Sequence, residues 1–505
     1  MKKIIRSRLI YTENSLLDGY LVVQNGKIEK IAQGEPEPEE RQSSEYFAYL
    51  DRMILPGLTD THCFFMGKYF QEYGKDYHSY GVEDLFLEFM NLADSPLLLG
   101  RNISDETFQR LQKKGLPNGY PIVLFHESFE EMLVNEKAAK NYQVQSGGVT
   151  MECCVHLIKE VMKDKEAFFL AYENHTKKLL KQGITAVKEI IFDTGFGFLE
   201  ALLEYRKVKG ILPVRTTVVS QPVAEPWNIS WGIEMKNKYC FEDLRFYGYN
   251  RMLDGSMSQE EAHLKHNYYG KNFSVKTQPD YETAYRLVKE ADDNGLAVSL
   301  HAQGGKAVEE AVSIFSSMKR DKNGKLQNRH SITDLEMGEV EEFKKMAESG
   351  IYAEIYPQIQ SIYEDWQGKI DQVKGHAGNE FKKIWNRKGL ISEGVAVSCA
   401  TDLPLLFPNL PESLYHGCGG FIGESKEAFV GENTMDRLSM VNAWTSGGIE
   451  NLYGSSAKLG KIKEGYEADL VIFDKNLLKE PFNLIRDSQV VTTFFKGEPV
   501  FIKED

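Results

Sequence analysis

The chain has 505 residues, 42% hydrophobic and 27% charged, which is too long for one small core and enough for a large barrel plus a smaller module. A formal net charge of −14 repels phosphates and argues against a nucleic-acid partner. No run approaches the roughly 20 apolar residues of a membrane span, and "MKKIIRSRLIYTEN" is broken by polar residues before signal-peptide length, so a cytoplasmic protein with no membrane partner is expected. The six cysteines (Cys63, Cys153, Cys154, Cys240, Cys399, Cys418) are scattered, with no CxxC, and are expected to be reduced thiols.

Along the chain, "KIIRSRLIYTE", "GYLVVQNGKIEKIAQ" and "YFAYLDRMILPG" are short runs rich in Ile, Val, Leu and Tyr. Asn25-Gly26 is a strong two-residue hairpin signal, so 1–55 predicts a small antiparallel sheet, with "GEPEPEERQSSE" (34–45) as a polar loop inside it. From 56 to 454, short apolar runs alternate with helical segments: "YPIVLF", "GITAVKEI", "LPVRTTVVS", "GLAVSLHA", "GIYAEIYP" and "GVAVSCATD" are the runs. "YETAYRLVKEADDN" and "LEMGEVEEFKKMAESG" carry apolar residues at helical spacings of three and four. This alternation predicts an α/β fold, a parallel sheet closed into a (β/α)8 barrel. "KLGKIKEGYEADLVIFDKN" and "QVVTTFFKGEPVFIKED" return to short strands, so 455–505 is expected to join 1–55 in one β-sandwich domain.

Catalytic groups of such barrels project from the C-terminal strand ends. His62, Lys188-Glu189, His301, His330 and Asp402 follow or close apolar runs. One histidine there is more often a satisfied polar residue than a ligand. Three with an aspartate would suit Zn²⁺ or a similar divalent ion, which lowers the pKa of its bound water to about 7 while the aspartate takes the proton. The plainer alternatives are an ion pair at the rim for Lys188-Glu189, only one of which can face the pocket, and a core role for Phe64-Phe65. His78, His126, His156, His175, His263, His266, His376 and His416 lack strand-end context and read as structural or surface residues.

"ILPGLTDTH", "PIVLF…LVNEKAA", "RMLDGSMS", "HAQGGKAVEEAV", "RHSITDLE", "ATDLPLLFPN" and "LGKIKEGYEADLVIFD" together resemble the amidohydrolase superfamily, most closely its YtcJ-like branch, which includes N-substituted formamide deformylases. The resemblance implies a distorted TIM barrel beside a β-sandwich built from both termini. It also implies attack of metal-activated water on a C–N bond of the non-peptide amide type in a small-molecule substrate. His301 and His330 would then be metal ligands, with Glu189 as a third (Glu152 and Cys153 are weaker candidates) and His62 a ligand or a support for substrate. Asp402 would be the catalytic base.

Three departures weaken that assignment. Phe64 stands where the first-strand motif has its second histidine. Asn250, four residues before Asp254, replaces a lysine whose carbamate can bridge two metals. Ser128-Phe129-Glu130 replaces Asp-Gly-His, which puts a carboxylate where a histidine would face substrate and hints at a positively charged or hydrogen-bond-donating group. The resemblance therefore implies at most one divalent metal, zinc first, with Glu130, Lys188, Asn250 and Asp254 facing substrate. An inward Lys188 would instead place an ammonium where the metal's charge belongs. The rival expectation is a barrel that keeps the fold and binds a small ligand without metal or turnover. A homodimer is the commonest oligomer for such a chain.

Overall fold

The computed structural model describes residues 2–13, 15–91, 97–192, 196–223, 226–362 and 365–504. Eight parallel strands follow one another in chain order: β1 (Leu58–Cys63), β2 (Ile184–Ile191), β3 (Arg215–Ser220), β4 (Leu244–Met252), β5 (Ala297–Ala302), β6 (Ser331–Asp334), β7 (Tyr352–Ile355) and β8 (Val397–Cys399). β8 returns to β1, where Thr61 Oγ1 donates to the Cys399 carbonyl at 3.0 Å and Cys63 bridges to Leu403. The result is a nearly closed barrel. β1, β2 and β3 are buried along their whole length, because residues of one parity fill the interior while the other parity meets helices. Tyr281–Asp293 is one such helix: it buries Ala284, Leu287, Val288 and Ala291, and Asp280 caps it by accepting from Thr283 N–H.

The two ends of the chain form a separate sheet, also of eight strands. Met53–Pro56 pairs antiparallel with Leu470–Phe473, which continues into Val490–Phe495 and Glu498–Ile502. On the other side Lys3–Thr12 leads to Ser15–Gln24 and Lys27–Gln33. Asn25 and Gly26 both have positive φ (51° and 79°), the backbone that a two-residue hairpin turn requires. Ile5, Leu21, Ile54, Ile472 and Phe494 share one core here. Arg215 of β3, fully buried, ties this sheet to the barrel through Asp469 at 2.9 Å, with Glu242 at 3.0 Å.

One expected barrel strand lies elsewhere. "YPIVLF" supplies Ile122–His126, the centre of a five-stranded sheet with Lys75–Asp76, Leu98–Ile103, Glu131–Val134 and Gly147–Gly148. Its own core, which includes Tyr77, Leu85, Phe108, Leu111, Ile122 and Leu124, is built from residues that lie between β1 and β2 in the sequence. A strand covered on both faces has the same composition in either sheet, so the run alone does not say which one it joins. No described helix is long and apolar enough to cross a membrane.

Candidate active site

Strand alternation sorts the neighbouring residues at the barrel mouth. Lys188 points inward from β2, where Nζ donates to Ser299 Oγ of β5 at 3.0 Å and to Glu354 of β7. Glu189 therefore points outward. It accepts from Phe65 N–H at 2.8 Å, and burial pushes its carboxyl up to about 8. This expected third ligand lies on the far side of the barrel wall.

His62, at the end of β1, is held between two carboxylates. Its Nε2 is 3.6 Å from Asp402 Oδ1 and its Nδ1 is 3.8 Å from Glu354 Oε2, with Thr333 Oγ1 at 3.3 Å from Nδ1. Burial keeps this imidazole below the usual histidine range, Lys188 adds to the effect, and Glu354 opposes it. Burial alone would raise Glu354, but Lys188 and His62 hold it at about 2. Phe64 stacks on Phe192 (centroids 5.1 Å apart) and meets His62 edge-on at 5.3 Å, so the place of a second first-strand histidine is an apolar wall.

Asp402 follows β8 in the left-handed backbone region (φ 52°), and its N–H donates to the His62 carbonyl at 2.9 Å. Removal from bulk water and then the charge of Asp334 raise its carboxyl to about 7, with His301 pulling the other way. His301 ends β5 with Nε2 2.9 Å from Asp334 Oδ2 and Nδ1 3.6 Å from Asp254 Oδ1. Burial works against its charge, yet Asp334, Asp254 and Asp402 lift it to about 9, so at neutral pH it is an imidazolium.

His330 is not at the mouth. It precedes β6, at the opposite end of the strand, where Nδ1 accepts from Val298 N–H at 3.0 Å, Nε2 lies 3.0 Å from Asp292 Oδ1 and the ring stacks on Phe315. The mouth residue of that strand is Asp334, with φ 72° turning its carboxylate toward His301 and Gln303.

Asp254, expected to face substrate, accepts backbone N–H groups from Gln303, Gly304 and His263 at 2.8–2.9 Å and so clasps the segments after β4 and β5. Asn250 is buried on β4, its amide nitrogen bonded to Gln221, and its Oδ1 has no partner among the described residues. Glu130 is exposed in the turn before Glu131–Val134 of the five-stranded sheet, where its N–H meets Ser128 Oγ at 3.2 Å. Cys153 lies in helix Met151–Val161 against its cap Thr150, and the Glu152 side chain lies outside the described residues.

Asp334 and Glu354 are the polar groups around His301 and His62 that strand-end reading missed. Glu354 had a signal: a carboxylate inside the apolar run "GIYAEIYP" must be paired.

These residues do not fit the implied metal. Among the described residues, no three His, Cys, Asp or Glu side chains converge as a ligand group. Zinc needs neutral imidazole or anionic donors with free lone pairs. His301 instead turns Nε2 onto Asp334 and Nδ1 toward Asp254, His330 uses both ring nitrogens elsewhere, Glu189 faces outward and Phe64 offers none.

Residues 147–501 match the model of the amidohydrolase family. The chain is 21% identical over 549 residues to putative amidohydrolase YtcJ of Bacillus subtilis (strain 168), covering 99% of this chain and 96% of that one. It is similar in fold to an uncharacterized metal-dependent hydrolase from Pyrococcus horikoshii (TM-score 0.71, 16% identity, covering 96% of this chain and 99% of the other). A second, from Pyrococcus furiosus, superposes with a TM-score of 0.72 at 16% identity, covering 95% of this chain and 100% of the other. A family model matched over most of the chain, on a nearly closed eight-stranded barrel with its polar groups at the C-terminal mouth, establishes that the chain belongs to the amidohydrolase family.

Proposed function

We propose that this protein is a hydrolase that splits a C–N bond of the non-peptide amide type in a small molecule, with water activated by Asp402, which His62 positions, in place of a bound ion. Family membership supports the reaction class. The assignment of roles is carried by one observation. Of the mouth carboxylates, Asp402 is one-third exposed, while Glu354 and Asp254 are fully covered and Asp334 nearly so. Asp402 alone of these meets entering substrate and water. With a carboxyl near 7 it accepts a proton from water at neutral pH and gives it up again readily. As the water oxygen bonds to the carbonyl carbon, Asp402 takes the proton; as the C–N bond breaks, it returns that proton to the amine. The neutral His62 ring behind it, 3.6 Å away, keeps the carboxylate turned to the mouth.

A panel of N-acyl and N-formyl amines tests this. Turnover is expected to survive chelator treatment and to fall by about 10²–10⁴ in Asp402→Asn. Turnover lost to chelator and restored by zinc would replace this reading with the single-metal one, which the description of the Pyrococcus relatives as metal-dependent supports. The Lys188–Glu354 pair favours one other reading, a barrel that binds a small ligand without turnover. In that case binding would be intact in Asp402→Asn and no substrate of the panel would be consumed. Cytoplasmic location and a homodimer belong to the same proposal, the dimer being open to sedimentation analysis.

A further inference from the structure

Beneath the mouth the barrel interior carries a polar layer built around one ion pair. Lys188 and Glu354 lie on β2 and β7, and both side chains are almost wholly excluded from water. Lys188 Nζ also donates to Ser299 Oγ, which is 2.7 Å from Ser331 Oγ. Glu354 Oε1 accepts a second bond, from Asn451 Nδ2 at 2.9 Å, and the same amide reaches Ser398 Oγ at 3.0 Å. An ammonium and a carboxylate buried this deeply persist only when paired and further hydrogen-bonded, and here they are. The other Glu354 oxygen faces His62 Nδ1, so Lys188, Glu354, His62 and Asp402 form a row from the interior to the mouth. A divalent ion approaching Glu354 would meet a tethered positive charge in a medium that screens it poorly.

We propose that Lys188 is the barrel's own cation and a positioning residue: its ammonium fills the place beside Glu354 that a divalent ion would take, and by fixing Glu354 it holds His62 with Nε2 toward Asp402. The claim about His62 rests on the hydrolase reading; the claim about the cation does not.

The experiment is a titration of the chelator-treated full-length protein with Co²⁺, whose visible absorption changes when side chains bind it. Wild type is expected to give no protein-bound spectrum, and Lys188→Arg none either, because the charge is kept. Lys188→Met is expected to take up one equivalent, since it frees Glu354 beside His62 and leaves the neutral Ser299 hydroxyl next to them. One equivalent bound by wild type overturns the proposal, and so does a folded Lys188→Met that stays silent. Should Lys188→Met fail to fold alone, recovery on refolding with Co²⁺ supports the proposal and failure to recover overturns it. No substrate enters these measurements, so a negative hydrolysis assay leaves them standing, while activity indifferent to Asp402→Asn strikes only the hydrolase reading.

Discussion

Asp402 and Asp334 share the mouth without a hydrogen bond between them, and the negative charge of Asp334 is part of what raises Asp402. A base must be ionised, so kcat/KM is expected to rise with pH through about 7. In Asp334→Asn the like charge is gone and that rise is expected at lower pH; an unmoved profile would show that another group titrates. Glu189 gives a stability test with the opposite use of the same physics. Its folded carboxyl lies near 8 against an ordinary 4.5, so ionising it costs the native state stability as pH rises between those values and no further above them. Glu189→Gln, which keeps an acceptor for Phe65 N–H, is expected to be the more stable protein by roughly 3–5 kcal/mol above pH 8, with the gap closing toward pH 4.5. Thermal unfolding at a series of pH values checks both the sign and the window. His62, Asp402 and His301 were legible as mouth residues because each closes or follows an apolar run. His330 was not separable from them by sequence: it stands four residues before Asp334 on one short run, and only the register shows which end faces the mouth.

At the level of elements, position along a strand settles what composition leaves open. β2 shows this most directly, since "KE" places one charge inside the barrel and the other outside, and alternation cannot choose between them until pairing with β1 and β3 is known. The strand at 122–126 is the larger case, because a short Ile/Val/Leu run suits any covered sheet. The terminal hairpin was fully legible, since Asn-Gly specifies both the turn and the pairing on either side of it. Asp254 joins elements of the barrel. Its three backbone partners follow β4 and β5, and Asp254→Ala would leave three covered N–H groups without an acceptor. We expect a loss of about 3–5 kcal/mol, read as a lower urea midpoint with an unchanged slope.

For the whole molecule, Arg215 ties the terminal sheet to the barrel beside a shared core that includes Met53, Leu55, Val471 and Phe473. Its guanidinium is fully buried against Asp469, whose other oxygen accepts from Lys496 N–H at 2.7 Å. Arg215→Ala would strand the Asp469 carboxylate, and removal of one partner of such a pair costs about 3–5 kcal/mol. Two separated transitions in calorimetry, in place of one, would mark the terminal sheet (1–55 with 455–505) as a unit apart from 56–454.

The seam of the ring is where β8 comes back to β1, and the proposed base and the histidine that positions it straddle this seam. His62 stands on one lip and Asp402 on the other, joined by the Asp402 N–H to His62 carbonyl bond, with Phe64 N–H donating to the Leu403 carbonyl beside it. The two groups therefore meet only when the ring has shut. A partly assembled chain, whatever helices it has gained, carries no working half of the catalyst, and turnover becomes a direct signal that the last strand has docked.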